Sequence, residues 1–195
     1  MDTVTLQFIL DHGTWLQHLQ GRVCSRDLLP KTKPSNVRAY IINTDSSNQP
    51  GEHWIGLYYY ENSKEAYYFD SYGLPPYHEE ILEFLKKTSN KWTFNNQQVQ
   101  DWFSETCGLY CVFTLDALAK GYDIQQYLQH HFYKTNYFKN DVKVRTWFEQ
   151  NYGTLNDVSK RQSVTFRGQC CSPKQNHHEL NKHYPHFKLL SNSSL

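Results

Sequence analysis

The stretch ETCGLYCVFTLDALAKG (105–121) changes from polar to apolar at Cys107 and stays largely apolar up to Gly121. Leu109, Val112, Phe113, Leu115 and Leu118 fall nearly all round a helical wheel. A helix with that distribution has no solvent face and is buried; Gly121 closes it. Two cysteines sit four apart at its start. A disulfide between i and i+4 of one helix fits S–S geometry badly. A zinc site needs two more ligands, and Cys170, Cys171 and the histidines near the C-terminus are too distant to make a recognisable pattern. Cys107 opens the helix, with Ser104 or Thr106 as the N-cap. There the unpaired N–H groups and the macrodipole favour a thiolate, a setting in which cysteine pKa falls to roughly 3.5–7.5. Cys111, one turn deeper, lacks that help and reads as a small core residue. Gly108 leaves room for a substrate backbone.

Upstream, VRAYIIN (37–43) is β-branched and aromatic and reads as a strand, followed by the turn-rich TDSSNQPGE (44–52). HWIGLYYY (53–60) and EAYYFD (65–70) flank ENSK as a hairpin. Its antiparallel partners sum to about 125, or about 123 with a tighter loop. Either register sets His53 opposite positions 70 to 72. Facing residues have Cβ atoms roughly 4.5–5.5 Å apart and diagonal ones roughly 7–8 Å, so Asp70 is within reach of the imidazole. Such a pair can orient a general base, bind a metal or be a polar strand end. A thiol nucleophile also needs donors for the oxyanion. The Cys107 N–H is one; Asn95, Asn96, Gln97, Gln98 and Gln100 are candidates for the second, and spacing does not choose among them.

HEEILEFLKKTS (78–89) has helical periodicity, KWTFNNQQVQ (91–100) is a short strand running into a polar loop, and DIQQYLQHHF and NDVKVRTWFEQNYG are two further helices. From about Asn156 periodicity is lost, which predicts one domain over 1–155 and an irregular tail over 156–195. Residues 1–155 carry 14 Lys/Arg against 17 Asp/Glu, and residues 156–195 carry 6 against 2 with four histidines, so the tail is a mild basic patch. No signal peptide or membrane span of about 18 apolar residues is present. Five cysteines at uneven spacing predict free thiols in a reducing, intracellular compartment. A zinc- or nucleic-acid-binding domain built on the Cys/His content and basic tail is the non-enzymatic alternative.

GEHW (51–54), YFDSYG (68–73), VQ (99–100) and CGLYC (107–111), taken in that order, resemble the adenovirus-type cysteine endopeptidases, and AYIINT (39–44) resembles the strand before their histidine loop. That family shares a clan with the SUMO- and ubiquitin-like-protein proteases. The resemblance implies an α+β fold: a mixed β-sheet with a central buried helix carrying the nucleophile at its N-terminus and further helices packed around it. It maps the nucleophile to Cys107, the general base to His53, the orienting acid to Asp70 and the oxyanion-hole glutamine to Gln100, with Trp54 and Gly108 lining the site. The adenovirus enzyme has Glu where this chain has Asp70; SUMO proteases and relatives in large virus-like DNA transposons use Asp. The resemblance implies no metal and no required cofactor. It admits DNA or an activating peptide, but a disulfide-linked peptide does not fit, because residues 25–106 contain no cysteine. It further implies a monomer that cleaves capsid or core precursors near glycine in the host nucleus and virion, away from membranes, with any DNA contact made through the basic tail. The alternative substrate is a ubiquitin-like modifier cut at its C-terminal or isopeptide bond.

Overall fold

The computed structural model describes residues 1–168. α1 (Thr3–His12) is capped by Asp2, whose carboxylate accepts the Thr5 N–H at 2.8 Å. A 3-10 turn (Leu16–Leu19) leads to β1 (Arg22–Ser25), and a second (Arg26–Leu28) precedes β2 (Ala39–Asn43). β3 (Trp54–Tyr59) and β4 (Glu65–Phe69) form the expected hairpin. α2 (Glu79–Thr88), β5 (Lys91–Phe94), α3 (Cys107–Ala119), α4 (Ile124–His131), α5 (Tyr137–Tyr152) and α6 (Leu155–Gly168) complete the chain in that order.

The sheet runs β1-β2-β3-β4-β5, parallel at its two outer pairs and antiparallel at its two inner ones. Both of its faces are covered, which is why the strands read as nearly continuous apolar runs. Pleat alternation sends Ala39, Ile41, Tyr58, Tyr67 and Phe69 into a core shared with α3, α1, α4 and α5. Tyr40, Ile42, Leu57, Tyr59 and Tyr68 point the other way, onto Ile81, Phe84 and Leu85 of α2. α3 lies on the first face with nearly every side chain from Cys107 to Leu118 buried, as its all-round apolar wheel requires. α3 packs directly over β3 at Gly56, where a Cβ would meet Cys111 Sγ at an ordinary contact distance of 4.0 Å. Each fully buried Leu, Ile or Phe in these layers contributes about 1.5–3 kcal/mol.

Two expectations change. The expected irregular segment from Asn156 is instead helical as far as Gly168. Thr154 and Asp157 cap that helix reciprocally: the Asp157 carboxylate accepts the Thr154 N–H and hydroxyl, and the Thr154 hydroxyl accepts the Asp157 N–H. Val158 is its anchor in the core. One buried residue among those of this helix whose side chains are described leaves no periodicity to detect, whereas the cap is local and visible in the sequence. Cys170, Cys171 and the histidines from His177 onward lie outside the described residues. The second change is β1, too short to stand out. It forms because β2 offers it a parallel edge and Gln7 Oε1 of α1 accepts its Val23 N–H at 2.9 Å.

Candidate active site

The β3–β4 ladder pairs Gly56 with Phe69 and Leu57 with Tyr68, the wider of the two expected registers. Continued past its last rung, it sets His53 against Tyr72 and diagonal to Asp70. The side chains follow: the imidazole stacks on the Tyr72 ring with centroids 4.7 Å apart, and its Nε2–H donates to Asp70 Oδ1 at 2.9 Å. Thr44 fixes the His53 backbone by donating both its N–H and its hydroxyl to the His53 carbonyl.

Asp70 is almost fully buried and held on three sides. Its Oδ1 also accepts the Tyr72 N–H at 2.8 Å. Asn95 clamps the Asp70 backbone, accepting its N–H at 2.9 Å and donating to its carbonyl at 2.6 Å. The turn that follows needs Gly73, which has φ +72° and lies so close to residues 97–98 that a Cβ would stand 2.7 Å from the Gln97 carbonyl carbon. Gly73→Ala is expected to destabilise the fold by about 1–3 kcal/mol from backbone strain alone, more once the clash is added. Thermal unfolding would show this as a melting point lowered by at least several degrees.

Cys107 opens α3 beside this pair. Burial pushes its thiol pKa up, but the His53 imidazole, by hydrogen bond and charge, and the backbone N–H groups of Trp54 and Gly108 outweigh burial and hold it below the ordinary value. For His53 the order is the same: burial lowers its pKa, and the hydrogen bonds and charges of Asp70 and Cys107 override it and raise it to about 9. With Nε2 committed to Asp70, Nδ1 is the nitrogen left for the thiol. Both shifts favour the thiolate and imidazolium form of the pair. The Tyr72 ring face under the imidazole further favours its cationic form. Cys111 is the opposite case: it is fully buried, its thiol donates to the Trp54 carbonyl at 3.4 Å, and its pKa is raised well above normal.

Of the five amides before Cys107, Asn95 is spent on Asp70, and Gln98 donates to the Gln100 carbonyl. Gln100 is buried with its side chain turned toward Tyr72. Its orientation follows from its partners. The Ser104 carbonyl can only accept, so Nε2 faces it at 2.6 Å, and Oε1 takes the Ser71 hydroxyl at 2.6 Å. The second Nε2 hydrogen has only a long contact, 3.4 Å, to the Tyr72 hydroxyl. It is available to a better acceptor.

The expectation for Gly108 is corrected. It is buried, and a Cβ there would point to Leu6, Met1 and Trp54 at 3.5–3.6 Å, not toward open space where a substrate would lie. These are ordinary contact distances, and they mark the place where α3 packs on α1 and the Trp54 ring. At Trp54 the indole is core and the backbone N–H faces the thiol. Tyr72 and Ser71 escaped the residue-by-residue reading, although both lie within YFDSYG. Trp102 stacks on the outer face of Tyr72 at 4.4 Å, and Phe103 beside it is 98% exposed. Among the described residues no group of three or more His, Cys, Asp or Glu side chains converges on a point where a metal ion could sit.

The family model described as Adenovirus endoprotease matches residues 29–178. The chain belongs to that family. It is 32% identical over 132 residues to the protease of Bovine adenovirus 7, covering 61% of this chain and 57% of that one. It is 35% identical over 94 residues to an Acanthamoeba polyphaga mimivirus protein that carries a thiol protease name, covering 43% of this chain and 31% of that one. The chain thus spans little more than half, or less, of the curated relatives it matches. A crystal structure of the ASFV protease is similar at 18% identity and a TM-score of 0.40, over 54% of this chain and 41% of that one, a likeness too slight to bear on the site. Among the described residues of this adenovirus endoprotease family member, no helix is long and apolar enough to cross a membrane.

Proposed function

We propose that the chain is a cysteine endopeptidase with Cys107 as nucleophile, His53 as general base and acid, and Asp70 as the orienting acid. The observation that carries this is the convergence of a thiol at an uncapped helix start with an imidazole already bonded to a buried carboxylate. The thiolate attacks a peptide carbonyl while imidazolium stands ready at Nδ1. Negative charge builds on the carbonyl oxygen, where the Cys107 N–H, which has no intrahelical acceptor, and the spare Gln100 N–H receive it. His53 protonates the leaving amine, then draws a proton from the water that hydrolyses the thioester. Asp70 keeps the ring in one orientation throughout. These side chains supply the whole reaction, so no cofactor is required. Membership of the family supports a protein substrate, and the resemblance supports capsid or core precursors cut near glycine by a monomer acting in the nucleus and virion. DNA or a peptide enters only as an activator.

The activity should have a pH window set by the ion pair. Below the lowered thiol pKa Cys107 is protonated and no nucleophile remains. Above about 9 the imidazolium loses its proton and with it the acid for the leaving group. The expected kcat/KM profile is a bell with its acid limb below the ordinary thiol range and its alkaline limb near pH 9. Iodoacetamide alkylation should already be fast near neutral pH. In His53→Ala its inflection should move up toward or beyond the free-thiol value of about 8.5, because burial is then opposed only by the Trp54 and Gly108 N–H groups.

The substrate test sets a panel of glycine-containing peptides against ubiquitin-like fusions ending in Gly-Gly, with and without added DNA, and maps the new termini by mass. Cleavage of the peptides supports the proposal. Cleavage confined to the fusions would move it to a modifier-specific protease, and cleavage of neither with no selective alkylation of Cys107 would end it.

A further inference from the structure

We propose that Asp141, on α5, is a positioning residue for the oxyanion-binding loop; this rests on the peptidase reading above. Asp141 lies far from the four sequence motifs, on a helix with no other part in the site. It is nonetheless buried, and its carboxylate is turned toward the segment that joins Gln100 to Cys107. Oδ1 accepts the Thr106 hydroxyl at 3.0 Å and the Tyr110 hydroxyl at 2.9 Å, and Oδ2 accepts the Asp101 N–H at 3.4 Å. One carboxylate thus holds both ends of the loop and the first turn of α3. The neighbouring Asn140 extends the hold by donating to the Val99 carbonyl at 3.0 Å.

The direction of these bonds transmits the constraint. Because the carboxylate accepts, Thr106 must donate to it, and the Ser104 hydroxyl, 2.7 Å from Thr106 Oγ1, must donate to Thr106. Ser104 is thereby fixed, and its carbonyl is the acceptor that orients the Gln100 amide. The helix start is a separate matter. Thr106 occupies the N-cap position, where a threonine hydroxyl ordinarily turns back to a first-turn N–H. Here it makes no such bond, being diverted to Asp141. A cap of that kind takes the N2 or N3 N–H, of Gly108 or Leu109, and not the Cys107 N–H at N1, so the oxyanion donor at the helix start does not depend on it. Through Thr106 and Ser104, Asp141 therefore fixes the Gln100 oxyanion donor in place.

The test separates steps that form an oxyanion from a step that does not. In Asp141→Asn, kcat for peptide cleavage should fall on the order of 10- to 100-fold, part of the 10²–10³ that loss of a whole oxyanion donor costs. KM should stay within about threefold, since substrate binding precedes the charge. Inhibition by a peptide aldehyde, whose adduct carries an oxyanion, should weaken by a factor similar to that in kcat. Iodoacetamide alkylation of Cys107, which forms none, should keep its wild-type rate. Thr106→Val should give the same pattern, and Thr106→Ser should restore activity; this pair decides the matter if Asp141→Asn does not fold. Unchanged kcat, or a fall in alkylation that parallels the fall in kcat, would overturn the proposal. Wild-type protein that neither cleaves peptides nor alkylates selectively at Cys107 would instead overturn the peptidase reading beneath it.

Discussion

Cys107→Ala should abolish peptide cleavage, a loss on the order of 10⁵-fold or more, with the melting point unchanged or slightly raised. Activity depends on a single sulfur atom, whereas the fold loses little: the residue is small, and His53 keeps its hydrogen bond and charge partner in Asp70 when the thiol is gone. Alkylation provides the independent check. Iodoacetamide reacts with thiolate, and the described cysteines differ sharply in how readily they form it. Cys107 is held low by His53, Cys24 is raised to about 11 by burial and by Asp27, and Cys111 is both raised and fully enclosed. Mass mapping of briefly treated native protein should place the label on Cys107 well ahead of Cys24 and Cys111. His53→Ala should erase that lead. Comparable labelling of Cys107 and Cys111 would count against any nucleophilic role for the first.

Asp70→Asn should lower kcat/KM by about 10²-fold and shift the alkaline limb. In serine proteases the same change costs about 10⁴, because the amide stabilises the wrong tautomer of a neutral imidazole. Here Cys107 also stabilises the imidazolium, by hydrogen bond and charge, and it remains in the variant, so that penalty is smaller; thiol proteases with an asparagine in this place work on the same basis. What is lost is charge. Burial acts to lower the His53 pKa, and the Asp70 carboxylate is the leading influence opposing it. Without it the pKa falls from about 9 toward or below the usual 6.5, and the alkaline limb of the bell moves down with it. Asn keeps an oxygen for the Tyr72 N–H, so folding should survive. A profile that loses height without shifting would mean that Asp70 holds the loop but does not act on the imidazole electrostatically.

The parts of the site legible in the sequence are those whose geometry is periodic. Hairpin pairing brought His53 near Asp70 before any coordinates, because strands of fixed rise and a short loop leave only two registers. The all-round apolar wheel after Cys107 marked a buried helix, and with it the contrast between a cysteine at an open helix end and one enclosed a turn later. Order and spacing of four short motifs were enough to point to the family.

Other features depend on contacts between segments that no local rule connects. Nothing in NNQQVQ distinguishes one amide from another; Gln100 is selected by a hydroxyl from Ser71 and a carbonyl from Ser104. Gly108 looked like space for a substrate until α1 was seen to fill that side. The helix from Leu155 shows one core anchor, Val158, among its described side chains, and that contact is made across elements where no local pattern announces it. Asp141 is nearly forty residues from the nucleophile's loop, and only the packing of α5 beneath that loop brings its carboxylate to Thr106. The sequence by itself placed His53 beside Asp70 and Cys107 at an open helix end, because strand register and helix ends are set by bonds between near neighbours. The tertiary structure decided how the Gln100 amide is oriented and what holds it there, because hydrogen-bond direction is settled only when both partners are in place.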